Sequence, residues 1–352
     1  MWLIGINALG GNIFVWKKKK TKKYNTQDLF LSNLAASDSL MGVYMLIIAS
    51  ADMYFGEQFP MQSETWRSGI TCRIAGALSI TSSEASVFFV TLISFDRFLN
   101  IMFPYSTVKF GLKSSKVTAL MIWIISLALG IVPSIFAGEN FLFYDNSHVC
   151  IGLPLALTQV YSTEASHEEL LNSELIYYSD YTFTTEFEGL FTGLFFSTAI
   201  FLGLNCICYL TILGCYIGIV RAVVQSSKQS GRTRDMDEQI KLTTKVTAIV
   251  ATDFFCWSPI ILMGILVQTG LVTLPPSVYA WSVTFVLPIN SAVNPYLYTI
   301  VELVSNYRKN RSNNVKSKSD SSTRGNITQA ETSIHTAYLI GFVHFLLKNR
   351  SI

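Results

Sequence analysis

Three carboxylates lie inside apolar runs of the chain: Asp38, Glu84 and Asp253. An ionisable side chain in such a run is costly, and it faces a bundle interior or a wet cavity. Near them in depth stand Asn12, Ser86, Asn290, Ser291 and Asn294. Their carboxylate, hydroxyl and amide oxygens suit a small hard cation such as sodium, or a network of waters. The same groups also serve as hydrogen bonds between helices, worth about 0.6–2 kcal/mol each. A fourth acid, Asp96, is followed directly by Arg97 and closes the stretch CRIAGALSITSSEASVFFVTLISFDR, which opens at Cys72. As a helix rising about 1.5 Å per residue, that stretch is roughly 37 Å long. A hydrocarbon core is roughly 30 Å thick, so Cys72 is expected at one membrane face and Arg97 at the other. Pro259 in FFCWSPI and Pro295 in NSAVNPYLY each remove a mid-helix hydrogen bond and so predict kinks that can act as pivots. The aqueous segments hold no catalytic constellation, and His148, His167, His335 and His344 have no metal-ligand spacing, so no enzyme is expected.

The elements that must carry these residues follow from composition. The chain has 352 residues, of which 50% are hydrophobic and 14% charged, against about 25% charged in soluble domains. Its apolar residues fall in blocks near 1–16, 28–55, 70–103, 117–137, 189–221, 243–269 and 277–301. No period-two alternation marks a barrel, and a helix satisfies its own backbone in lipid. The expected fold is therefore an all-α membrane protein, a seven-transmembrane helix bundle over residues 1–302, followed by a disordered cytoplasmic tail over 303–352. The first block, at roughly 24 Å of helix, is short of the span and reads as a first helix truncated at its outer end.

Of the 26 Lys and Arg residues, 24 lie on one side, leaving only Arg67 and Arg73 opposite. The positive-inside rule then makes the N-terminus extracellular and the C-terminus cytoplasmic. These juxtamembrane lysines predict attraction to an acidic lipid bilayer, not to nucleic acid. Residues 138–188 carry nine acids and no Lys or Arg. They read either as a solvated acidic extracellular loop or as a docking surface for a basic peptide or domain. Residues 223–242 read as a short cytoplasmic loop of mixed charge. Cys206, Cys208, Cys215 and Cys256 lie in apolar runs as packed thiols, whereas Cys72 and Cys150 sit at polar edges on the same side.

Several motifs coincide in order. They are GNIFV at Gly11–Val15, NLAASD at Asn33–Asp38, Cys72 followed by Asp96-Arg97-Phe98, Trp123, CWSP at Cys256–Pro259 and NPYLY at Asn294–Tyr298. Together they resemble the rhodopsin-like (class A) G-protein-coupled receptors. SDSLMGVY, SSEASV, TDFFCWSPI and LPINSAVNPYLYT are similar to the leucine-rich-repeat receptors, and to the relaxin receptors most of all. The leucine-rich ectodomain of those receptors is not in this chain.

The resemblance implies a plasma-membrane receptor, multi-pass, with an extracellular peptide or protein ligand and a heterotrimeric G protein as partners. Arrestin is implied if the serines and threonines from Ser312 to Thr323 are phosphorylated. It implies a Cys72–Cys150 disulfide, and a sodium and water site of Asp38, Ser86, Asn290, Ser291 and Asn294, with no cofactor beyond an allosteric sodium ion. Asp96, Arg97, Tyr216, Asp253, Trp257, Pro259, Asn294, Pro295 and Tyr298 are implied as the coupling and activation switch, with Asp253 and Asn294 as a restraining pair between helices. Glu84 receives no role. An acid at position 239 would complete the family's usual lock on Arg97, and Gln239 stands there with Glu238 beside it. Relaxin-type receptors commonly raise cyclic AMP. Two other readings are a truncated, non-signalling receptor partner and an ion transporter or channel; inverted repeats and broken helices, which would favour the latter, are not seen.

Overall fold

The computed structural model describes residues 1–20, 25–56, 65–107, 109–136, 149–150, 199, 203–228, 234–269, 271–272, 278, 282–286 and 288–297. Among them the secondary structure is helical throughout, in the order α1 (Trp2–Lys20), α2 (Thr26–Phe55), α3 (Ile70–Met102), α4 (Leu112–Phe136), α5 (Asn205–Lys228) and α6 (Arg234–Gln268). A π turn at Ser282–Val286 leads to α7, described over 288–297. Apart from residues 149–150, the acidic loop lies outside the described residues, as do the tail and Tyr298.

Local chemistry places the helix ends. Asn25 caps α2, its side-chain oxygen accepting from the Asp28 amide at 2.7 Å, and Asp28 adds a negative charge to the first turn. At the other end Gly56 takes φ 49°, a left-handed turn that costs glycine little, and its N–H returns to the Asp52 carbonyl. Several helices outrun their apolar blocks. α1 continues into the lysine run to Lys20, α4 starts at Leu112, and α6 starts at Arg234. Most of 223–242 is therefore helix and not loop, with α5 reaching Lys228. Lysine, arginine, glutamate and glutamine are good helix formers in water, so leaving the hydrocarbon gives the backbone no reason to stop.

The packing inverts a soluble core. α3 is the central strut, in contact with α2, α4, α5 and α6. Its polar residues Ser79, Ser82, Ser83, Glu84, Ser86, Ser94, Asp96 and Arg97 are all buried. Large apolar residues line the outside instead. On α4 these are Val117, Leu120, Met121, Ile124 and Ile131, which share one face and are exposed to where lipid would be. With the hydrophobic effect absent between helices in lipid, close approach and polar pairing hold the bundle.

α1 meets α2 at Gly42, where a Cβ would lie 2.5 Å from the Leu9 backbone nitrogen, whereas a Cβ on Gly10 meets nothing within 4 Å. Gly42→Ala is therefore expected to push α1 away and cost about 1–3 kcal/mol. The check is thermal unfolding in detergent, where Gly42→Ala should melt several degrees below wild type and Gly10→Ala should not.

Candidate functional site

The buried polar residues converge on Asp38. Its Oδ1 accepts from Ser86 Oγ on α3 at 3.2 Å and from Ser291 Oγ on α7 at 3.0 Å. Its Oδ2 accepts from Asn294 Nδ2 at 2.7 Å. One carboxylate thus ties three helices, and its 0% exposure leaves these bonds as its solvation. Asn12 adds α1, donating from Nδ2 to the Ser291 carbonyl at 2.9 Å and to Ala8 of its own helix at 2.8 Å. Pro295 lies against Gly11, where a Cβ would come within 2.8 Å of its ring. Asn12, Ser86, Ser291 and Asn294 are therefore gathered as their sequence positions imply.

Asn290 is not part of that group. Its Nδ2 donates to Asp253 Oδ1 on α6, forming an α6–α7 link where the family resemblance implied one between Asp253 and Asn294. Asn290 and Asn294 are one turn apart on the same face of α7. Asn294 sits at the level of Asp38 and is used there, so Asp253 is met by the amide one turn away. Trp257, one turn beyond Asp253, is buried at 3% exposure in the apolar cluster that holds Cys72, Cys150 and Tyr44. Pro259 lies inside α6.

At the other end of α3, Asp96 and Arg97 are both buried and paired with one another. Arg97 Nε donates to Asp96 Oδ2 at 3.0 Å, and its Nη2 donates to the same oxygen. Asn100 Nδ2 donates to Asp96 Oδ1 at 3.1 Å and to the Asp96 carbonyl at 2.7 Å. Tyr216 on α5 is buried in a cluster with Phe89, Ile93 and Val250. The side chains of Glu238 and Gln239 lie outside the described residues.

Glu84 pairs with α5, where Asn205 Nδ2 donates to its Oε1 at 3.1 Å. Asn205, like Tyr44, was missed by the sequence reading. A polar residue opening the apolar run NCICYL was the available signal for Asn205. The Cys72–Cys150 disulfide is formed, with the two Cα atoms 5.3 Å apart. Among the described residues no group of His, Cys, Asp and Glu is arranged to hold a metal. Oxygens of mixed type do surround Asp38, and Asn12 Oδ1, Asn290 Oδ1 and Asn294 Oδ1 are buried without a partner.

Helices with polar groups turned inward, one intramembrane carboxylate binding three of them and a charged pair at one end define a polytopic membrane bundle of the seven-helix receptor type. The family model "7 transmembrane receptor (rhodopsin family)" matches residues 12–166 and 179–298. The chain belongs to that family, a family of receptors and not of enzymes, and is a multi-pass membrane protein with the seven-helix architecture. It is 30% identical over 313 residues to the G-protein coupled receptor GRL101 of Lymnaea stagnalis, covering 88% of this chain and 25% of that protein. It is 27% identical over 316 residues to relaxin receptor 2 of Homo sapiens, covering 88% and 37%. To relaxin receptor 1 of Mus musculus it is 27% identical over 327 residues, covering 89% and 39%. The chain thus spans about a quarter to two-fifths of the length of these relatives.

Two asparagines one turn apart serve two aspartates, and a double-mutant cycle separates them. Asp253→Ala and Asn290→Ala should be non-additive in thermal stability by about 0.5–3 kcal/mol. Asp253→Ala and Asn294→Ala should add. A coupling found for Asn294 and not for Asn290 would reverse the assignment.

Proposed function

We propose that this chain is a receptor that converts an extracellular event into activation of a heterotrimeric G protein. The observation that carries the reading is the Asp38 node, which joins α2, α3 and α7 within the membrane and lies next to the Asp253–Asn290 link to α6. A ligand shifts such a bundle only by binding one arrangement more tightly than another. The agonist-favoured arrangement is one in which α6 separates from α7 at Asp253–Asn290 and Arg97 leaves Asp96 to face a cytoplasmic crevice. Trp257, Pro259 and Pro295 are the pivots, and Tyr216 and Tyr298 approach Arg97.

The lysine distribution supports an extracellular N-terminus and a cytoplasmic C-terminus at the plasma membrane. The likeness to relaxin receptors supports a peptide or protein hormone as ligand and cyclic AMP as messenger. Phosphorylated tail residues would recruit arrestin. The Asp38 carboxylate, the Ser86 and Ser291 hydroxyls and the unpartnered oxygen of Asn294 suit a sodium ion, with Asn290 one turn away on Asp253. Bound there, the ion would supply positive charge opposite Asp38.

The test is cyclic AMP in cells expressing the chain, with surface level measured alongside. Asp253→Ala should raise the basal signal, because it removes the restraint on α6. Adding Arg97→Ala should abolish that rise at equal surface level. A chain that reaches the surface and changes no second messenger in any version would sink the reading.

A further inference from the structure

The segment that carries Cys150 is held at two points. Its sulfur is bonded to Cys72 in the first turn of α3, and the carbonyl of Val149 accepts a 2.8 Å hydrogen bond from Tyr44 Oη on α2. Tyr44 is 1% exposed and lies in one apolar cluster with Cys72 and Cys150. A phenol that deep must find an acceptor. The segment also has an unusual backbone: Cys150 takes φ 51°, the one positive-φ residue other than glycine among the described residues. That conformation costs of order 1–3 kcal/mol and persists only where the surroundings over-determine it. A lone disulfide fixes one point and leaves the segment free to swivel about it, whereas a second point on another helix fixes its orientation.

The two helices so bridged are the ones that meet again further in. Ser82 Oγ on α3 donates to the Ser37 carbonyl on α2 at 2.7 Å, and Ser86 Oγ donates to Asp38 at 3.2 Å. Tyr44 is six residues from Asp38 on the same helix, about 9 Å along the axis. We propose that Tyr44 is a positioning residue. Its hydroxyl turns residues 149–150 into a strap from the first turn of α3 to the interior of α2, so that displacement of residues 149–150 changes the spacing of those helices at Asp38. The strap stands on geometry alone, and only its effect on signalling rests on the function proposed above.

Tyr44→Phe keeps the ring in its cluster and removes the bond. On intact cells expressing the full chain, a membrane-impermeant phosphine should reduce Cys72–Cys150 about three- to tenfold faster in Tyr44→Phe than in wild type. Hydrogen exchange of the peptide covering 149–150 should rise while the middle of α2 and α3 stays unchanged. Equal reduction and exchange at equal surface level would overturn the strap. Basal second messenger should shift at least twofold in Tyr44→Phe, and an unchanged level with a loosened segment would overturn the coupling to Asp38. Silence from every version, wild type included, would strike the signalling function and leave the strap to its reduction and exchange data. Should the variant not reach the surface, the wild-type chain decides. Slowed exchange at 149–150 should persist after the disulfide is reduced, and its complete loss would overturn the second anchor.

Discussion

Hydrocarbon offers no hydrogen bonds, and the arrangement of this bundle follows from that one fact. The Asp38 carboxylate cannot be left unpaired, because a buried charge without partners costs several kcal/mol. It collects two hydroxyls and an amide from α3 and α7. Once α2, α3 and α7 are held at that level, Asn12 brings in α1 through the Ser291 carbonyl. Trp123 Nε1, 2.9 Å from Asn33 Oδ1, brings α4 onto α2. Tyr209 Oη, 2.6 Å from the Phe254 carbonyl, ties α5 to α6. Polar side chains thus do in lipid what apolar ones do in a soluble core.

The network is not complete, and its gaps are localised. Five of the buried oxygens without partners belong to Asn12, Asn290, Asn294, Glu84 and Asn205. Three are carbonyl oxygens of amides whose nitrogens hold α7 to its neighbours, and two belong to the Glu84–Asn205 pair that links α3 to α5. In a low dielectric an unsatisfied acceptor is expensive. The donors of these side chains hold the helices together, and the oxygens left over are the groups open to a small cation or water.

Covalent and non-covalent constraints divide along the membrane normal. The α3 end that bears Cys72 is fixed by a disulfide and the Tyr44 bond. The opposite end of α3 carries the Asp96–Arg97–Asn100 group and packs on α5 without a disulfide, Phe98 and Ile101 lying against Ile219.

Much of the architecture was legible in the chain itself. Long apolar runs predict helices because a helix alone satisfies its backbone in lipid, and intramembrane Asp, Asn and Ser had to face inward for the same reason. Depth on neighbouring runs put Asn12, Ser86, Asn290, Ser291 and Asn294 near the buried acids, and of these Ser86, Ser291 and Asn294 meet Asp38 and Asn290 does not. The extent of α6 into charged sequence was not legible, because the apolar pattern reports where lipid ends and not where the helix ends. Nor was the partner of Asp253. Asn290 and Asn294 are the same residue type on the same face of one helix, so their spacing is silent on which aspartate each meets. That choice depends on how far α6 and α2 are shifted along α7, which packing of the whole bundle sets. Tyr44 and Val149 are 105 residues apart, and only the packed bundle brings the Val149 carbonyl over the phenol. Local sequence determined the helices and their inward faces, while the relative depth of the helices, a property of their contacts alone, decided the pairs.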